Sequence, residues 1–161
     1  MDSSEKTFWQ KFIFFWKHYV IQCILATVVI YLILMFLSIQ NAVVIASLGA
    51  STFIAFAMPK QITAEPRHLI GGHLIGLTCG SIFYLIPTPE FITPLIIYAL
   101  AVGLSIFIMV VTNTEHPPAS GTALGVAITG FSWNVALAVI TSVIALSFIH
   151  VVFRGYLEDL T

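Results

Sequence analysis

Charge is what this sequence has least of. Asp, Glu, Lys and Arg make up 8% of its 161 residues, against about 25% in soluble domains. A soluble domain needs a solvated surface, and this composition cannot supply one. Six basic and seven acidic residues leave no basic patch, so nucleic acid is not an expected partner. Cysteine is nearly as scarce. Cys23 and Cys79 both fall in apolar stretches and read as small buried residues, since two cysteines alone make no metal site. No phosphate loop, HExxH, CxxC, aspartate pair or nucleophile–base–orienter set is present. Five scattered histidines have no metal-ligand spacing. The expectation is no enzyme, no cofactor and no metal.

What is abundant is hydrocarbon. Hydrophobic residues make up 59% of the chain and the mean hydropathy is +1.03. Apolar stretches recur at about 20 residues, the length that crosses roughly 30 Å of hydrocarbon. The sequence therefore predicts an all-α polytopic membrane protein, embedded in a lipid bilayer through about six segments. These are Tyr19–Ser38, Ala42–Pro59, Leu69–Ile86, Phe91–Thr112, Ala119–Phe131 and Ala136–Phe153. The first run is too long for a signal-peptide core and is read as structure. Residues 1–18 interleave Phe8, Trp9, Phe12, Ile13, Phe15 and Trp16 with Lys6, Lys11 and Lys17. That pattern predicts an N-terminal interfacial amphipathic helix, with a plain extension of the first span as the alternative. Residues 19–153 form the transmembrane domain and 154–161 a cytoplasmic tail.

Basic residues set the expected orientation. Six crossings place Lys6, Lys11, Lys17, Lys60, Arg67 and Arg154 on one side. Both termini then face the cytoplasm, and a cell inner membrane is the expected location. The segments also divide into two sets of three, each with a short small-residue segment in the middle. Ala42–Pro59 reads either as one plain helix or as an extended entry followed by a helix starting near Gly49, and Gly49-Ala50-Ser51-Thr52 can be laid beside Ala119-Ser120-Gly121-Thr122. Three crossings per set make the second set inverted, a common transporter plan with broken helices and a midplane site.

The one polar break deep in the chain is Asn113-Thr114-Glu115-His116-Pro117-Pro118. Proline disfavours a helical residue before it and fits the first turn of a new helix. The fourth span is thus expected to end near Thr112 and a helix to begin at Pro117 or Pro118. Its unpaired N–H groups would come from Ala119, Ser120 and Gly121, beside the hydroxyls of Ser120 and Thr122. A helix start of this kind suits an anion; a loop at the water surface is the alternative. His73, inside the third span, is an intramembrane ionisable group and a functional candidate, or else a neutral histidine bonded to a carbonyl. His73 and His116 could both carry a proton or tune local charge. Arg67 reads as an interfacial anchor or a cap for a neighbouring helix end, with attraction of an anion as the lesser alternative. His150 reads as interfacial. Gly71, Gly72, Gly76 and Gly80 share a helix face that would allow close approach of another helix.

At Glu65-Pro66-Arg67-His68-Leu69-Ile70-Gly71-Gly72-His73 and at His116-Pro117-Pro118-Ala119, the chain resembles the HPP family of integral membrane proteins. The two motifs occur in the family's order, over roughly residues 20 to 153. The family often has Gln at the position of Glu65, and its members are usually described as four-span proteins. Some plant members are associated with nitrite transport across the plastid envelope. The resemblance implies passage of a small inorganic anion, nitrite foremost, through residues of the two motifs. The expected binding set is His116, Pro117, Pro118, Ala119, Ser120, Gly121 and Thr122, facing Gly49, Ala50, Ser51 and Thr52. His73, His116 and Arg67 are expected to tune charge or carry a proton. A non-transporting structural or regulatory membrane subunit is the alternative. So short a chain has little room to shield a polar path, which favours a homo-oligomer, with a dimer as the simplest form.

Overall fold

A computed structural model describes residues 8–36, 42–87 and 94–160. Among these the regular structure is entirely helical. The elements are α1 (Phe8–Phe36), α2 (Ala42–Ala57), α3 (Pro66–Tyr84), α4 (Pro94–Val111), α5 (Pro117–Thr129) and α6 (Trp133–Phe153), with one 3₁₀ turn at Ile62–Ala64. Pro66 and Pro117 open their helices because their missing N–H has no intrahelical partner there in any case. The turns expected at residues 38–41 and 88–90 lie outside the described residues.

The break after α4 has a local cause. Asn113 adopts a left-handed φ of 53°. The Asn113 N–H donates to Val110 O, and the Thr114 N–H to Met109 O. This is a Schellman ending, and Asn is among the few side chains that tolerate it. Three residues later Pro117 starts α5. At the far end of α5, Gly130 has φ 90°, and a Cβ there would lie 2.6 Å from the Tyr84 ring. Ser132 then caps α6 by accepting the Val135 N–H.

Among the described residues, three stretches are long and apolar enough to cross a membrane: Ile13–Tyr31 within α1, Pro94–Val111 and Trp133–Phe153. The 13 residues of α5 reach only about 20 Å. α1 continues without a break from Phe8 past residue 18. α2 is also unbroken from Ala42 to Ala57. Gly49, Ala50, Ser51 and Thr52 therefore sit mid-helix, with their N–H groups in the helical ladder, and do not form a second helix start.

α5 is the centre of the bundle. It packs against α3, α2 and α4. A Cβ at Gly72 would lie 2.7 Å from His116 Cβ; one at Gly76 would sit on the Ala119 carbonyl oxygen; one at Gly80 would lie 2.6 Å from the Ala123 carbonyl oxygen. The glycine face of α3 thus lies backbone to backbone on α5. On its other side α5 supplies its own gaps. Gly121 faces Ser47 of α2 and Gly125 faces Val44. Lipid gives no hydrophobic drive between helices, so this close van der Waals packing is what holds α5 in place. The outer faces keep large apolar side chains exposed, among them Ile24 and Val28 of α1, Leu95 and Phe107 of α4, and Leu137 and Phe148 of α6.

One end of the bundle gathers the polar loops. Arg67 Nη2 donates to Thr112 O at 2.9 Å, Arg154 pairs with Glu65, and Lys60 pairs with Glu158. The Leu160 N–H donates to Ala57 O, and Leu157 is buried. The tail is thus tied to the C-terminal end of α2. Arg154 returns to the end that holds Lys60 and Arg67, so α5 runs away from that end and α6 runs back to it.

The packing predicts that Gly76→Ala overfills the α3–α5 contact and costs about 1–3 kcal/mol. The thermal midpoint of the detergent-solubilised protein should fall. Gly103→Ala, where a Cβ meets nothing within 4 Å, should leave it level or raise it by helix propensity.

Candidate functional site

The start of α5 is buried against two other helices. His116 is its N-cap residue, with extended backbone, and its ring turns into the bundle. His73 comes from the middle of α3, where Gly72 leaves room beside it for the backbone of residues 114–116. Ser47 and Ser51 lie one turn apart on α2, and Thr122 lies on α5. His73, His116, Ser51 and Thr122 are completely inaccessible, and Ser47 is 5% exposed.

These side chains form one connected line. His116 Nδ1 lies 2.8 Å from Thr63 O. Its Nε2 lies 2.8 Å from Ser51 Oγ. Ser51 Oγ lies 2.7 Å from His73 Nε2. His73 Nδ1 lies 2.8 Å from Thr122 Oγ1, which lies 2.9 Å from Ser47 Oγ. Ser47 Oγ donates to Pro118 O. The imidazole centroids are 5.2 Å apart, bridged by the Ser51 hydroxyl. A carbonyl oxygen only accepts, so His116 carries its hydrogen on Nδ1 and presents Nε2 to Ser51. In an apolar surround each partner is costly to orphan.

Several expected residues fall elsewhere. The Ala119 N–H is not free, because it donates to His116 O at 2.8 Å. Ser120 Oγ donates to Pro117 O and stands outside the line. Pro117 is exposed. Gly121 is a spacer against Ser47, and Gly49 and Ala50 lie within α2. Thr52 donates back to Leu48 O within its own helix. Arg67 is exposed and caps the end of α4 through Thr112 O. His150 is fully buried within the protein, with Nε2 donating to Pro59 O at 2.8 Å. The residues not singled out in the sequence are Ser47, Thr63 and His68. His68 Nδ1 lies 3.2 Å from the Glu115 carbonyl oxygen and 3.6 Å from the Glu115 carboxylate. Only the four-residue spacing of Ser47 and Ser51 signalled a shared polar face.

Ser51→Ala should leave both facing imidazole nitrogens without a partner and cost about 1–3 kcal/mol of stability, read by chemical or thermal denaturation. Nitrogen-15 spectra of histidine-labelled protein should show neutral His116 as the Nδ1–H tautomer.

The match to known proteins is now interpretable. A model of the HPP transmembrane region matches residues 12–158. One transmembrane protein of Dictyostelium discoideum is 41% identical over 88 residues, covering 55% of this chain and 31% of that protein. A second from the same organism is 35% identical over 85 residues, covering 53% of this chain and 27% of that protein. The chain thus aligns with less than a third of the length of these curated relatives. No solved structure matches. Both histidines of the buried line fall within the matched region, and the chain belongs to the HPP transmembrane family.

Proposed function

We propose that this protein is a membrane transporter or channel for a small inorganic anion, nitrite foremost, and that the buried polar line at the start of α5 is its substrate site. One observation carries this reading. Two imidazoles and three hydroxyls are buried together inside an apolar bundle. Apolar side chains could fill that space without hydrogen-bond partners, and ionisable groups within membrane segments mark ion and substrate paths. A bound anion would take over imidazole and hydroxyl donors that now satisfy one another. The α5 dipole would add about 0.3–1 kcal/mol, and up to about 2 where water is excluded.

The six segments are read as six crossings in two inverted sets. The helix pairing supports this. Exchanging α1 with α4, α2 with α5 and α3 with α6 turns the α3–α5 contact into α6–α2, α4–α5 into α1–α2, and α3–α4 into α6–α1, all of which exist. The α2–α5 and α3–α6 contacts map onto themselves. α2 and α5 then meet at the axis, where Ser47 and Ser51 face Thr122. Lys60, Arg67 and Arg154 at one end support cytoplasmic termini in an inner membrane. A homodimer is the simplest assembly that would bury more of the exposed apolar face.

The alternative, a structural or regulatory subunit without flux of its own, is favoured by one feature. The donors of the line are engaged within it, which also suits a rigid internal brace.

Purified protein in vesicles should take up nitrite above the leak of protein-free vesicles. His116→Ala or Thr122→Val should cut the initial rate at least about tenfold, roughly 1.4 kcal/mol. Arg154→Ala, which removes an exposed ion pair, should change little. Undiminished flux in both site variants would overturn the assignment.

A further inference from the structure

We infer that the buried line is a loading site for one proton, shared between His73 and His116 through Ser51. The argument is a count of hydrogens. The line has six links: Pro118 O to Ser47, Ser47 to Thr122, Thr122 to His73, His73 to Ser51, Ser51 to His116, and His116 to Thr63 O. Both ends are carbonyl oxygens, which only accept. Three hydroxyls and two neutral imidazoles supply one mobile hydrogen each. The neutral line is therefore one hydrogen short of its links. A helical bond from Ser51 Oγ to Ser47 O, at 3.1 Å, competes for the same supply.

One added proton completes all six links. With His73 as the imidazolium, Nδ1–H donates to Thr122, Thr122 to Ser47, and Ser47 to Pro118 O. On the other side Nε2–H donates to Ser51, Ser51 to His116 Nε2, and His116 Nδ1–H to Thr63 O. With His116 as the imidazolium, only the bonds through Ser51 reverse. The Ser51 proton moves from one histidine to the other, and its oxygen accepts the one returned. No heavy atom needs to move. A second proton would leave both imidazoles pointing N–H at the same serine oxygen and two positive charges 5.2 Å apart, so the site takes one.

The surroundings fit a single port. α2 and α5 contain no charged or titratable residue, α4 only Tyr98, and α6 only the deeply held His150. On α3, Arg67 is committed to Thr112 O, and Cys79 and Tyr84 lie further along the helix. In the loops Lys60 pairs with Glu158, Asp159 accepts the Lys60 N–H, and Glu65 pairs with Arg154. At the His116 end stand His68, whose Nδ1 lies 3.2 Å from Glu115 O, and the half-exposed Glu115 carboxylate, 3.6 Å from that nitrogen; Glu115 adjoins His116 in the chain. Beyond Ser47, the α2–α5 contact is Val44 on Gly125, an apolar plug. Protons would enter from the Glu115 end and stop at Ser47, so the line loads a proton and does not conduct one through.

This deepens the transport reading and rests on it for the coupling to anion flux, though not for proton occupancy. The test uses the full chain in vesicles with nitrite outside and a pH dye inside, together with nitrogen-15 histidine spectra of the same protein in lipid discs. Uptake should acidify the lumen by one proton per anion above protein-free vesicles. On acid titration the His73 and His116 signals should move together through one shared step. Ser51→Ala keeps both imidazoles but should abolish the acidification and split the step, and Ser51→Thr, which restores a hydroxyl, should recover both. Nitrite uptake without acidification, separate titrations, or spectra that stay neutral throughout would overturn the proton site. Shared titration without nitrite uptake would support the proton site and overturn the transport reading.

Discussion

The backbone contact between α3 and α5 is the constraint on which the rest depends. At Gly72, Gly76 and Gly80 there is no room for even a methyl group. α5 is too short to be held by its own span of the hydrocarbon, and its small residues offer little side-chain area. Close approach replaces area with many short-range contacts. Gly121 and Gly125 repeat the solution on the α2 side. Together they let one thin helix run between two others without opening a void.

That thin helix also makes the polar line possible. Ser, Thr and His side chains are short. They can bond one another across three helices only if the backbones stand unusually close. Gly72 allows the chain before α5 to press on α3, which puts His116 within one hydroxyl of His73. Gly121 allows Ser47 to reach both Thr122 and the Pro118 carbonyl. The apolar residues around the line exclude water, so its groups depend on each other for hydrogen bonds. Packing and chemistry here have a single cause.

The sequence disclosed much of this and misread some of it. Pro117–Pro118 fixed the start of α5, because proline acts locally wherever it falls. The glycine spacing on α3 announced a close contact, and His73 announced itself as a buried ionisable group. Gly49–Thr52 misled, since small residues that resemble a helix start can equally be a packing face in mid-helix. His150, near the end of α6, is buried because the returning tail, with Leu157 buried and Leu160 bonded to Ala57, closes over that end. Neither outcome is a property of the local residues.

Composition and punctuation alone determined that this is a helical membrane chain with a break before Pro117, because hydropathy and proline geometry do not depend on distant residues. What only the tertiary structure decided is which polar atoms meet. Ser47 and Ser51, His73, Thr63, His116 and Thr122 come from separate segments, and no local rule ties a serine on α2 to a histidine on α3. Their joining follows from how closely α5 is gripped on both sides, a distance set by the absence of side chains at matched positions on three helices.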